Sequence, residues 1–170
     1  MVASGQPAEL EIDAPSAPSL KDATEGSQHY SGFDHHWFPS CFVCGPERTP
    51  GDGLRIFAGA VPGQEIVLSP WTPDATLDDG SGCVARRFLW AALDCPGAFA
   101  AFERTGDPLV LGTLTVRIDR PLPIGADAVV AGWLMGVEGR KHFCGTAIYD
   151  ESGTVCARAS AVWIRIDAPI

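Results

Sequence analysis

Basic residues are scarce in this 170-residue chain: 12 Lys and Arg stand against 21 Asp and Glu, a formal charge of −9. That balance argues against a general nucleic-acid or anionic-membrane binder, because phosphate surfaces require clustered cations. No apolar run approaches bilayer-spanning length, so no membrane partner is expected. The start, MVASGQPAELEID, lacks the basic and apolar segments of a leader, and a cytoplasmic protein is expected. No internal repeat is present. Cysteine is not lacking, but the six thiols are not packed in a small-scaffold pattern, so they read as reduced.

Helical periodicity is confined to one long stretch, CVARRFLWAALDCPGAFAAFER, from Cys83 to Arg104. Ala85, Phe88, Leu89, Ala92, Leu93, Phe99 and Ala100 form a stripe that should lie on a sheet. Asp94 falls off that stripe, on a face with Gly97, Ala98 and Ala101, where small side chains leave room for close approach. Pro96 has no amide for the Ala92 carbonyl, so the helix should kink or restart near Cys95 and Pro96. Ser81 is the expected N-cap. Arg86 and Arg87 in the first turns oppose the helix dipole, which fits either anion binding or solvated surface arginines.

Residues 1–28, rich in Pro, Ser, Ala and acidic side chains, read as a low-complexity arm that does not order itself, and residues 29–170 as a single domain. From Tyr30 a loop dense in aromatics, His and Cys follows. Cys41 and Cys44 have the spacing of half a zinc site, with His35 and His36 near enough to complete it. A lone CxxC without a second paired motif favours buried thiols in a packed loop, and neither metal nor cofactor is expected. A thioredoxin-like redox role is weaker still, since no strand precedes the motif and no helix follows it.

Leu54–Val61 and Glu65–Pro70 read as strands before the helix. After it, Val110, Leu114, Val116 and Ile118 line one side of a strand; Ala128–Val137 and His142–Tyr149 form a hairpin, and Thr154–Ile166 ends the sheet. Ala157, Ala159 and Ala161 give the last strand a face of small side chains on which a helix packs closely. The result is an α+β fold, an antiparallel sheet of about six strands wrapped around one long central helix. Such a sheet leaves an edge and an apolar flank to cover, so a homodimer or dimer of dimers is expected.

The order of three segments resembles the hotdog-fold superfamily, particularly acyl-CoA thioesterases of the phenylacetate-pathway type. They are CFVCGPERTPGDGLRI, then FLWAALDCPGAFA, then GRKHFCGTAIYDESGTVCARASAVW, together spanning about residues 38–166. The resemblance implies an acyl thioester substrate and sites at a dimer interface, each between a helix of one chain and a loop of the other. It places Asp94 as nucleophile or general base and the Arg86 amide as the group that polarises the thioester carbonyl. Where relatives commonly have His-Gly-Gly, this chain has Ala85, Arg86 and Arg87. Arg87, Arg140, Lys141 and Trp90 are the implied coenzyme A contacts. Two readings remain: a thioester hydrolase, or a non-catalytic hotdog protein that binds an acyl or aromatic ligand or acts in a complex. Asp94 also has a structural alternative, as a cap for the helical turn that restarts at Pro96.

Overall fold

The computed structural model describes residues 4–167, so residues 1–3 of the arm and 168–170 of the domain lie outside the described residues. Six strands, β1 (Gly59–Ala60), β2 (Ile66–Trp71), β3 (Leu109–Ile118), β4 (Ala128–Glu138), β5 (Lys141–Asp150) and β6 (Val155–Arg165), form one antiparallel sheet in the order β1-β2-β4-β5-β6-β3. The strand that follows the central helix in sequence therefore ends up at an edge. Hairpins join β4 to β5 and β5 to β6, as the period-two pattern predicts.

The central helix comes in two pieces, α2 (Arg86–Ala92) and α3 (Cys95–Thr105), broken where Pro96 predicts. Leu89, Ala92 and Leu93 pack on Val130, Ile148, Ala157 and Ala159, so the alanine face of β6 receives the helix. The break also resets the helical phase. Gly97 and Ala101, expected beside Asp94 on an open face, are buried: a Cβ on Gly97 would sit 3.2 Å from Cys144 Cβ and 3.1 Å from Trp163 Nε1. Continuous periodicity misplaces them because Asp94, at φ −76° and ψ −81°, turns the second segment about its axis.

Two boundaries differ from expectation. Ser81 does not cap the helix; its amide bonds Asp79 Oδ1, while the amides of Val84 and Ala85 pair with the carbonyls of Leu122 and Leu77. Extended pairing thus holds the chain up to Ala85, which takes the cap position. Of the strand expected over 54–61, only Gly59 and Ala60 join the sheet, because the amides of Leu54 and Ile56 bond Phe42 and Val43 of the preceding loop.

Within the arm expected to lack order, residues Leu20–Gln28 form a helix, α1, capped by Ser19 Oγ on the Asp22 amide at 3.1 Å. Its Ala23 covers the outer sheet face with Val61, Leu68, Val129, Ala131 and Tyr149. The preceding segment lies along the same face, where Tyr149 Oη donates to Pro15 O at 2.9 Å and Arg158 Nη1 to Ile12 O at 3.1 Å. Burial of apolar sheet surface supplies what the polar composition of the arm lacks.

Candidate functional site

A cavity of about 280 Å³ opens between α3 and the edge strand β3. Its walls are apolar, with Phe99 and Phe102 from α3, Leu109 and Leu111 from β3, and Trp163 from β6. At one side stand the polar and sulfur-bearing groups: His36, Cys41, Cys44, Asp94 and Cys95.

Asp94 reaches the cavity because the helix breaks under it. Pro96 offers no amide, the Gly97 amide bonds the Asp94 carbonyl at 3.3 Å, and the Leu93 carbonyl is taken by Thr146 Oγ1 at 2.8 Å. The Asp94 side chain makes no capping bond to α3, so the cap alternative does not describe this carboxylate. Its Oδ1 is buried without a hydrogen-bond partner. Burial pushes the carboxyl up to about 6, with the nearby Cys41 thiolate adding to the shift.

The three sulfurs of Cys41, Cys44 and Cys95 all lie within 4.8 Å of one another, and Cys41 Sγ is 3.6 Å from Cys95 Sγ. Contacts with the Cys44 and Cys95 thiols lower the Cys41 pKa below the usual thiol range. Their bonds to Cys41 in turn keep Cys44 and Cys95 well above the usual thiol range. His36 Nε2 is 3.3 Å from Cys44 Sγ, while its Nδ1 accepts the Phe38 amide at 2.9 Å. Burial lowers the His36 pKa. His35 turns away and meets the Trp37 ring edge-on, with centroids 4.3 Å apart.

The loop that carries the thiols is well fixed. Tyr30 Oη donates to the Cys44 carbonyl at 2.9 Å, and the Gly45 amide bonds the Cys41 carbonyl at 2.9 Å. Gly45 is required by this packing, since a Cβ there would come within 2.5 Å of the Cys41 nitrogen and the Pro39 carbonyl. Behind the lining residue Asp107, the fully buried His142 puts Nε2 3.1 Å from Asp107 Oδ2, outside hydrogen-bond alignment.

The remaining residues expected at the site do not meet within one chain. Arg86 and Arg87, both exposed, begin α2; Arg86 lies beside Val116 and Ile118, and Arg87 lies 4.6 Å above the Phe88 ring. Trp90 is 43% exposed on α2. Arg140 and Lys141, at the β4–β5 tip, are level with Ile164 and Arg165, whereas Ile118 is level with Ala157. Seven residues of strand put roughly 23 Å between the two cation pairs.

Sequence reasoning missed Cys95 as a neighbour of the CxxC, and missed Phe102, Leu111 and Trp163 as cavity walls. Cys95 stands beside the predicted break, which was the available signal that its side chain leaves the regular helix face.

No family model matches the chain, and no curated protein matches it. Solved structures do share its fold. A thioesterase superfamily protein superposes with a TM-score of 0.62 at 21% identity over 70% of this chain, and the match spans 62% of that protein's length. The E. coli PaaI protein from the phenylacetic acid degradation operon gives a TM-score of 0.58 at 17% identity, covering 63% of this chain and 77% of PaaI. A Streptococcus mutans protein bound to acetyl-CoA gives 0.57 at 10% identity, covering 61% of this chain and 82% of that one. The six-stranded sheet around a central helix is thus a hotdog fold. Among the described residues no helix is long and apolar enough to cross a membrane.

Proposed function

We propose that this chain is a cytoplasmic, homodimeric thioesterase that hydrolyses an acyl-CoA or a related thioester. The observation that carries the reading is the Asp94 carboxylate, which lines an apolar cavity with one oxygen buried and unpartnered. A carboxylate with a free lone pair beside an acyl-sized space is placed either to attack a thioester carbonyl or to take a proton from water.

One chain does not complete this site. Arg86 and Asp94 are eight residues apart on the broken helix, roughly 12 Å along its axis, so one carbonyl cannot touch both groups. The Arg86 and Arg87 amides that open α2 have no intrahelical acceptor and are free to polarise a carbonyl, whereas the Phe88 amide is taken by the Ala85 carbonyl. Pairing the exposed β3 edge antiparallel with a second copy solves the separation. It brings the Ile118 end of one chain, with Arg86 and Arg87, beside the Leu109 end of the other, where the cavity opens and Arg140 and Lys141 stand. The four cations then flank one cleft and suit the phosphates of coenzyme A, with Trp90 exposed on the same helix to meet the nucleotide.

The structural neighbours named for thioesterase function, and the one bound to acetyl-CoA, support this reading at the level of fold. The bulk of Arg86 and Arg87, where relatives commonly carry glycine, favours the second reading of a pocket that binds acyl or aromatic ligands without turnover. Thiol release from short, long and aromatic acyl-CoA substrates separates the two. Turnover supports the enzyme; binding to the folded dimer without release supports the binder.

A further inference from the structure

We infer that Cys41, Cys44 and Cys95 hold a zinc ion at the cavity wall, with the fourth coordination position open to the cavity. The inference is independent of the thioesterase reading, because it rests on the sulfur geometry and the scaffold that holds it. Zinc bound tetrahedrally at about 2.3 Å from each sulfur sets the sulfurs roughly 3.8 Å apart. The observed cluster matches: Cys41 and Cys95 are 3.6 Å apart, and no pair among the three sulfurs exceeds 4.8 Å.

The scaffold around the sulfurs is built rather than incidental. Two thiols come from a loop tied down by Tyr30, Gly45 and the paired residues Leu54 and Ile56. The third comes from the first turn of α3, buried beside Pro96. Bringing three thiols together from two distant segments gives little hydrogen-bonding return, since S–H groups are weak donors, whereas a soft divalent cation satisfies all three at once.

His36 completes the arrangement from outside the ligand set. The Phe38 amide donates to its Nδ1, so the neutral ring carries its proton on Nε2, which faces Cys44 Sγ at 3.3 Å. It donates to a ligating sulfur and orients it, as second partners of metal ligands do. All three cysteines are lining residues of the cavity, as is Asp94, and the open coordination position is assigned to that side on this ground. Hard cations that prefer oxygen ligands do not suit this donor set.

The test is the metal content of the full-length protein, purified without chelator from zinc-supplemented medium, with cobalt titration of the metal-free protein as a second readout. The expected result is about one zinc ion per chain surviving desalting, and a sulfur-to-cobalt charge-transfer band on titration. Cys95→Ser loses the zinc and the band, whereas Cys156→Ser, remote from the cluster, keeps both. His36→Gln retains zinc with affinity lowered about 10- to 100-fold; complete loss of zinc in that variant overturns the open fourth position. The proposal fails if wild-type protein carries no zinc and its metal-free form does not bind cobalt. It fails equally if Cys95→Ser binds zinc as wild type does, if the purified protein holds iron instead, or if Cys41 and Cys95 are found as a disulfide.

Discussion

Cys41 Sγ and Cys95 Sγ lie 3.6 Å apart although 54 residues separate them in the chain. The contact ties the loop before the sheet to the point where the central helix breaks, and it places the Asp94 carboxylate beside both. Loop, break and cavity therefore form one unit. A substitution that straightens the helix displaces the acid and the thiol cluster together.

Thr146 is the sheet residue that stabilises the break. Its hydroxyl donates to the Leu93 carbonyl at 2.8 Å in a fully buried position. Thr146→Val keeps the shape and strands that carbonyl, so it should lower stability by about 1–3 kcal/mol in denaturant unfolding. Thr146→Ser, which keeps the donor, should cost less.

Gly132 on β4 sets how closely α3 approaches the sheet. A Cβ there would overlap the Pro96 carbonyl, which backbone cannot yield. Gly132→Ala should destabilise by about 1–3 kcal/mol. Gly136→Ala on the same strand, with open space at its Cβ, serves as the control in the same unfolding experiment.

Dimerisation through β3 is testable at Leu111, which is 40% exposed on that edge strand. Light scattering at micromolar concentration should give a dimer for the wild type. Leu111→Lys should shift it toward monomer with unchanged secondary structure, because a charge on a paired edge opposes association. A wild-type monomer would contradict the shared site.

Asp94 should cost the fold stability. A buried carboxylate oxygen without a partner is unfavourable, so Asp94→Asn should raise stability by about 1 kcal/mol. Thermal melting of the two proteins at neutral pH checks this. A marked loss of stability would instead indicate a structural bond that the carboxylate makes and the amide cannot.

Much of the frame was legible. Strand alternation located β3 to β6, Pro96 located the break, and the alanines at 157 and 159 located where the helix packs. What escaped had physical causes. The helix α1 escaped because its composition is polar and its stability comes from the sheet beneath it; the Ser19-x-x-Asp22 capping pattern was the missed signal. Ser81 misled because a capping residue looks alike in an Asx turn, and only the pairing of Val84 with Leu122 decides against a helix there. Gly97 was assigned the wrong face because one helical period was carried across a break that resets it. Cys95 could not be joined to Cys41 and Cys44 from spacing, since that contact exists only after the sheet has formed.

The measurement that tests the central claim most directly is thiol release from the best acyl-CoA substrate by wild type and Asp94→Asn at matched concentrations of folded dimer. A buried carboxylate acting as nucleophile or general base predicts a fall in kcat/KM of at least about a hundredfold in the variant. Equal turnover by the two proteins would contradict the assignment of Asp94 and, with it, the account of this site.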